Sequence, residues 1–209
     1  MLRRRKLRAG KRGQGTIEFA LAIPTIFVLL FGIFEFGLLF FDLGTTNYAA
    51  NEAARVAAQA GNGTTNCAAL PGCATLFPPP PPPTVPPPCD GDCQALVAIN
   101  QTQLGGTNLE QITSIHFRLL NSDGSTCPAG GCKENIWSFP NDGINPPKLQ
   151  PCPSAGCYGY GSRNTTYGKT DYLQVEIDFT YHWKTGIFEK FDHPKLNSTY
   201  TVRLEPQKF

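Results

Sequence analysis

The chain is poor in the residues that most chemistry depends on. Its 209 residues include three histidines, two tryptophans and one methionine, and only 16% are charged. The histidines, His116, His182 and His193, form no HExxH pattern; no glycine-rich phosphate loop precedes a helix and no nucleophile elbow is present. These absences remove the usual signatures of phosphoryl transfer, acyl transfer and zinc hydrolysis, so the expectation is a protein without enzymatic activity, cofactor, resident metal or small-molecule substrate. Asp171, Glu176 and Asp178 are the acids from which a glycosidase pair could be imagined, but Glu176 and Asp178 fall on the polar side of an alternating segment, where charges are ordinary. Acid is missing from the first 17 residues, and cysteine is missing before Cys67.

What the N-terminus does contain is ordered in three pieces. A basic leader has seven Lys or Arg between Arg3 and Arg12 and ends at Gly13. Gln14-Gly15-Thr16-Ile17-Glu18 follows, and then Phe19 to Phe41, 23 residues that are nearly all apolar. A helix of about 20 residues rising about 1.5 Å each spans the hydrocarbon core of a bilayer. The positive flank is expected to stay cytoplasmic and the remainder to be exported. With the leader set aside, 11 Lys/Arg face 16 Asp/Glu, a balance of about −5, and nothing in it favours nucleic acid, which requires a clustered basic face. A secretory signal peptide is the other reading of a basic leader, but the apolar run is too long for one and no small-residue cleavage site follows it.

The order of basic leader, Gly13, Gln14-Gly15-Thr16-Ile17-Glu18-Phe19 and hydrophobic helix resembles the prepilins of tight-adherence (Tad, or Flp) type IV pili. The string Glu18-Phe19-Ala20-Leu21-Ala22-Ile23-Pro24, with Phe31-Gly32-Ile33-Phe34-Glu35-Phe36-Gly37 and Ala49-Ala50-Asn51-Glu52-Ala53-Ala54-Arg55-Val56-Ala57, is similar to the TadE-like family of that system. The resemblance implies a minor pilin or pseudopilin of the inner membrane, cut between Gly13 and Gln14 by a prepilin peptidase. It also implies partners among the other Tad pilins and the assembly platform. Glu18 and Phe19 are then the residues of peptidase recognition and subunit assembly, with Glu18 pairing with the new α-amino group of a neighbouring subunit. The plain alternative for Glu18 is an interfacial acid in the headgroup layer. Glu35, deep in or near the far end of the apolar run, either reaches out to the interface with Asp42 or pairs with a basic group of a partner.

Eight cysteines, Cys67, Cys73, Cys89, Cys93, Cys127, Cys132, Cys152 and Cys157, lie on the expected exported side. An even count in an oxidising compartment reads as disulfides. They fall as four close couples, and Pro and Gly between the sulfurs of Cys127–Cys132 and Cys152–Cys157 permit tight turns, so nearest-neighbour bridges are favoured. A zinc site is the rival, disfavoured by the irregular spacing and by the compartment. Between the second and third cysteines, Pro78 to Pro83 and Pro86 to Pro88 make a polyproline strut, a spacer by default.

Periodicity supplies the fold class. Ala49, Ala53, Val56 and Ala60 form a helical stripe that ends at Gly61, packing either on the chain's own head or on neighbouring subunits. Asp90 to Leu104 reads as a short helix. Ile115, Phe117 and Leu119 alternate with polar residues, as do Leu173, Val175, Ile177, Phe179 and Tyr181, and then Tyr200, Val202 and Leu204; each reads as a strand with one buried face. Gly124 to Tyr167 reads as loop. The expected architecture is α+β: a long N-terminal transmembrane, pilin-like helix followed by a small antiparallel sheet with disulfide-pinned loops. The expected division is leader 1–13, helix 14–61 with the membrane span at about 19–41, Cys/Pro-rich linker 62–107, and β-rich exported head 108–209. The main functional alternative to a pilin is a single-pass surface protein whose disulfide-stabilised domain binds a ligand independently of any filament.

Overall fold

The computed structural model describes residues 14–61, 90–99, 110–120, 123–125, 133–138, 148–149, 163, 166, 169–186 and 188–205. The leader with Gly13, the polyproline strut, Leu104 and every cysteine except Cys93 lie outside these residues. Helix α1, Gln14–Ala60, runs unbroken for 47 residues with Pro24 inside it, a length of about 70 Å. It ends where the sequence indicates. Gly61 takes φ 54° and its N–H donates to the Ala57 carbonyl at 3.2 Å, the left-handed terminus that glycine adopts without a Cβ penalty.

Helix α2, Asp90–Ile99, follows, then five strands: β1 Glu110–Leu120, β2 Glu134–Ser138, β3 Lys148–Leu149, β4 Tyr172–Tyr181 and β5 Lys195–Arg203. They form one antiparallel sheet in the order β3-β2-β1-β4-β5. β4 follows the expected alternation at every residue, from half-buried Tyr172 to buried Tyr181. In β1 a register shift between Ile112 and Ser114 inserts one residue, and this bulge lets both Ile112 and Ile115 point into the core. β2 and β3 lie in the stretch read from sequence as loop. They run only five and two residues, too short for their alternation to stand out among the surrounding Gly and Pro.

The sheet has one covered and one wet face. Ala49, Ala50, Ala53, Ala54, Ala57 and Ala58 of α1, with Ala95, Leu96 and Ile99 of α2, pack on Ile115, Phe117, Trp137, Leu173, Val175 and Ile177. The alanine stripe is therefore taken up by the chain's own head. It is also turned from the sequence-based assignment: Ala54, Ala57 and Ala58 are buried, whereas Val56 and Ala60 are half-buried. On edge strand β5 the expected inward set is only partly covered, with Leu204 buried, Val202 half-buried and Tyr200 39% exposed.

At its C-terminal end α1 is held by a buried cluster. The Arg163 guanidinium donates to the carbonyls of Ala57 at 3.4 Å and Gly61 at 3.2 Å and is ion-paired with Asp92 of α2. Asn135 of β2 donates to the other Asp92 oxygen at 2.8 Å. The last turn of α1 contains no basic residue of its own, so a cation distant in sequence satisfies the carbonyls that a helix end leaves open. A Cβ on Gly91 would collide with that guanidinium.

Candidate functional site

α1 divides into two parts. From Gly15 to Phe31 every residue is exposed except half-buried Ile23, and the bulky apolar side chains Ile17, Phe19, Leu21, Ile26, Phe27, Val28, Leu29 and Leu30 point outward. α1 as a whole, over Gly15–Ala60, is long and apolar enough to cross a membrane, and this portion is its N-terminal part. Gln14 opens the helix; Glu18 and Phe19 stand exposed on its second turn.

The head reaches the helix from Gly32 upward, where Phe188 lies within van der Waals range of the glycine. Head contact therefore begins inside the segment 19–41 expected to span the membrane. Glu35 is 0% exposed, and the head supplies its partners. One carboxylate oxygen accepts from the Lys184 N–H at 2.6 Å and from the Tyr181 hydroxyl at 3.1 Å; the other accepts from the Thr185 N–H at 3.0 Å. Two consecutive amides and a phenol form a receptor for one carboxylate, the arrangement that makes a buried acid tolerable. Burial and the neighbouring Glu35 push the Tyr181 hydroxyl well above the usual tyrosine range, so it stays a donor. Of the sequence-based readings of Glu35, the escape to the interface is not what the structure shows: the carboxylate is buried and received by the chain's own head.

Asp42 lies seven residues on, on the same helix face, and is also fully buried. Neither of its oxygens has a hydrogen-bond partner among the described residues. Burial raises its carboxyl above the ordinary aspartate value, partly opposed by the Lys184 ammonium. Further up, the Ser198 hydroxyl donates to the Asn47 side chain at 2.6 Å.

Around Glu35 an aromatic cluster joins helix to head. Trp183 meets Phe36 edge-on at 6.4 Å, Tyr181 at 5.4 Å and Phe188 at 5.7 Å, and Phe188 meets Phe191 at 6.0 Å. Sequence reading left Trp183 without a role. The one available signal was that it follows the clearest strand of the chain, and that could not say where the strand's end would land.

The wet face of the sheet carries the acids once considered for glycoside chemistry. Arg118 pairs with Glu134 at 2.7 Å and with Glu176. His116 bridges Glu134 at 2.6 Å and Asp178 at 3.0 Å, and Ser114 donates to Asp178 at 2.9 Å. This is a cross-strand ladder of ion pairs and hydrogen bonds, the ordinary stabilisation of an open sheet face. Among the described residues no group of three or more His, Cys, Asp or Glu could hold a metal ion. Cys93 is buried and disulfide-bonded; the other seven cysteines, and with them the expected pairings, lie outside the described residues.

No curated protein and no solved structure matches the chain. The family model of TadE-like proteins matches residues 13–55, so the helix that carries Glu18 and Glu35 is TadE-like over most of its length.

Proposed function

We propose that the protein is a membrane-anchored minor pilin or pseudopilin of a tight-adherence pilus, held by α1 and matured between Gly13 and Gln14 by a prepilin peptidase. The observation that carries this reading is the free end of α1. An apolar rod projects from the head with no face buried, and Glu18 lies one turn from its start, within the segment that matches TadE-like proteins. When lipid or neighbouring helices surround this surface an ionised side chain there is costly, and the TadE-like resemblance pairs Glu18 with the α-amino group of an adjacent processed subunit. Beyond Phe31 the exposed side of α1 continues with Phe34, Phe36, Phe40, Phe41 and Tyr48, a face along which neighbouring subunits can pack. The role is structural, with the head exported and its remaining cysteines paired locally.

The test has two parts. Intact-mass analysis of membrane-extracted protein is expected to show loss of Met1 to Gly13; retention of Met1 in cells with active peptidase removes the prepilin assignment. Glu18→Ala is expected to insert normally yet fail to co-purify with pilus or platform proteins. Leaving a buried ammonium unpaired typically costs about 3–5 kcal/mol, and each 1.4 kcal/mol is about tenfold in association. Normal co-purification of Glu18→Ala favours the independent surface protein.

A further inference from the structure

We infer that the loop between β4 and β5, in its described residues 182–186 and 188–194, is a lipid-binding foot that seats the head on the outer surface of the phospholipid bilayer. The inference rests on the membrane-anchor reading of α1 and adds to it a second, independent lipid contact. The first argument is one of length. From Gly15 to Phe31 the helix is free of the head, and these 17 residues cover about 25 Å. A hydrocarbon core of about 30 Å therefore extends roughly one turn further, to the level of Phe34 and Glu35. That is the level at which Trp183 and Phe188 meet the helix, with Phe191 against Phe188. If the bilayer instead rose to Phe41, the exposed Lys184 and the loop's polar backbone would sit in hydrocarbon, which only regular, internally satisfied backbone tolerates.

The second argument is the chemistry of the loop itself. Trp and other amphipathic aromatics concentrate where acyl chains meet headgroups, and Lys at that level reaches outward to water or phosphate. Phe191 is 62% exposed, a large apolar side chain that the head covers only in part, through Phe188. Lys184, Lys190 and Lys195 are exposed beside it, against Glu189 and Asp192. The near balance of charge means the loop is held by aromatic burial more than by attraction to anionic lipid.

The loop is also shaped in advance. Successive turns close from the Phe188 N–H to the Thr185 carbonyl at 3.1 Å and from the Phe191 N–H to the Phe188 carbonyl at 2.9 Å. The Trp183 indole donates to the Asp192 carbonyl at 3.2 Å, and the Tyr181 N–H donates to the Pro194 carbonyl at 3.0 Å. Glu35 then fixes the loop to the helix through the amides of Lys184 and Thr185. Helix and loop thus meet the membrane surface as one unit, and the head is restrained from swinging about its anchor.

The experiment uses the full chain in phosphatidylcholine vesicles, with the wild-type protein, Trp137 and Trp183 intact, as parent and the emission of each added probe read as the difference from it. Three probes are added singly: Phe27→Trp in the anchor, Phe191→Trp in the loop and Arg55→Trp high on α1. Emission is measured with lipids brominated either near the glycerol backbone or near the chain ends. The expected result is loss of the Phe27→Trp emission with the deep label, loss of the Phe191→Trp emission with the shallow label, and no loss for Arg55→Trp. A quenched anchor probe with an unquenched loop probe overturns the foot and leaves the anchor standing. An unquenched anchor probe overturns both. Equal quenching of the loop and Arg55→Trp probes shows a head lying down on the bilayer, and also overturns the foot.

Discussion

Glu18 and Glu35 are the same side chain on the same helix, seventeen residues apart, and they meet opposite fates. Glu18 stands on an exposed stretch of Phe, Leu and Ile; Glu35 is fully buried against two amides and a phenol of its own head. The flanking residues account for the difference. From Ile26 to Phe31 just below Gly32 the side chains are bulky on every side, and no sheet packs close to the axis there. Above Glu35 the inward face thins through Thr46 to a run of alanines, which lets the sheet lie against the helix. One acid stands exposed on the free half of the helix, and the other is used up in fixing the head. An ionisable residue in an apolar helix therefore does not by itself mark an intermolecular site. Whether the chain's own head docks on that part of the helix decides whether the fold reaches it first.

The largest effect should come from the top of the docked half. Arg163→Ala leaves Asp92 buried without its cation and opens the carbonyls of Ala57 and Gly61, and is expected to cost about 3–5 kcal/mol. Urea unfolding of the detergent-solubilised chain, followed by Trp137 emission, measures it. A cost below 1 kcal/mol would make this cluster no more than a surface pair.

Glu35→Ala strips three donors of their acceptor at the bottom of the same half, and roughly 2–3 kcal/mol of head stability should go with it. Hydrogen exchange at Lys184 and Thr185 should accelerate while membrane insertion is unchanged. The same substitution at Glu18 should leave head stability untouched, and a matching loss there would erase the contrast between the two halves.

Ala53→Leu tests the packing explanation directly. Added volume on the buried face should destabilise by about 1–3 kcal/mol, whereas Leu29→Ala on the free half should leave the unfolding midpoint where it was. The smallest effect concerns Asp42. Its folded carboxyl is held above the ordinary value of 3.8 by burial, so the folded state binds the proton more tightly than the unfolded one. The resulting stability is present below that value and is lost as pH rises through the folded pKa. Asp42→Asn should flatten this part of the profile, read as melting temperature against pH on the mildly acidic side. A wild-type profile that rises over that interval and is unchanged by the substitution would mean that Asp42 is ionised in place.

Much of the fold could be read from local pattern, because pattern is what local physics acts on. The 3.6-residue and two-residue periods of α1 and β4 state which faces are apolar, Gly61 supplies the left-handed terminus, and the basic leader with its following apolar run implies a direction across a membrane. The Gly13-to-Glu18 order, with the residues that follow it, is a local string too, and it sufficed for the TadE-like resemblance. Tertiary structure alone decided what those faces touch. Nothing near Glu35 in sequence indicates that the amides of Lys184 and Thr185 will receive its carboxylate. Nothing in the last turn of α1 indicates that Arg163 will close it, since the partners are separated by more than a hundred residues. The bulge at β1, the short strands β2 and β3 and the rotation of the alanine stripe were hidden for the same reason. Each is settled by fitting one surface onto another, a constraint that a one-dimensional pattern of apolar and polar residues does not contain.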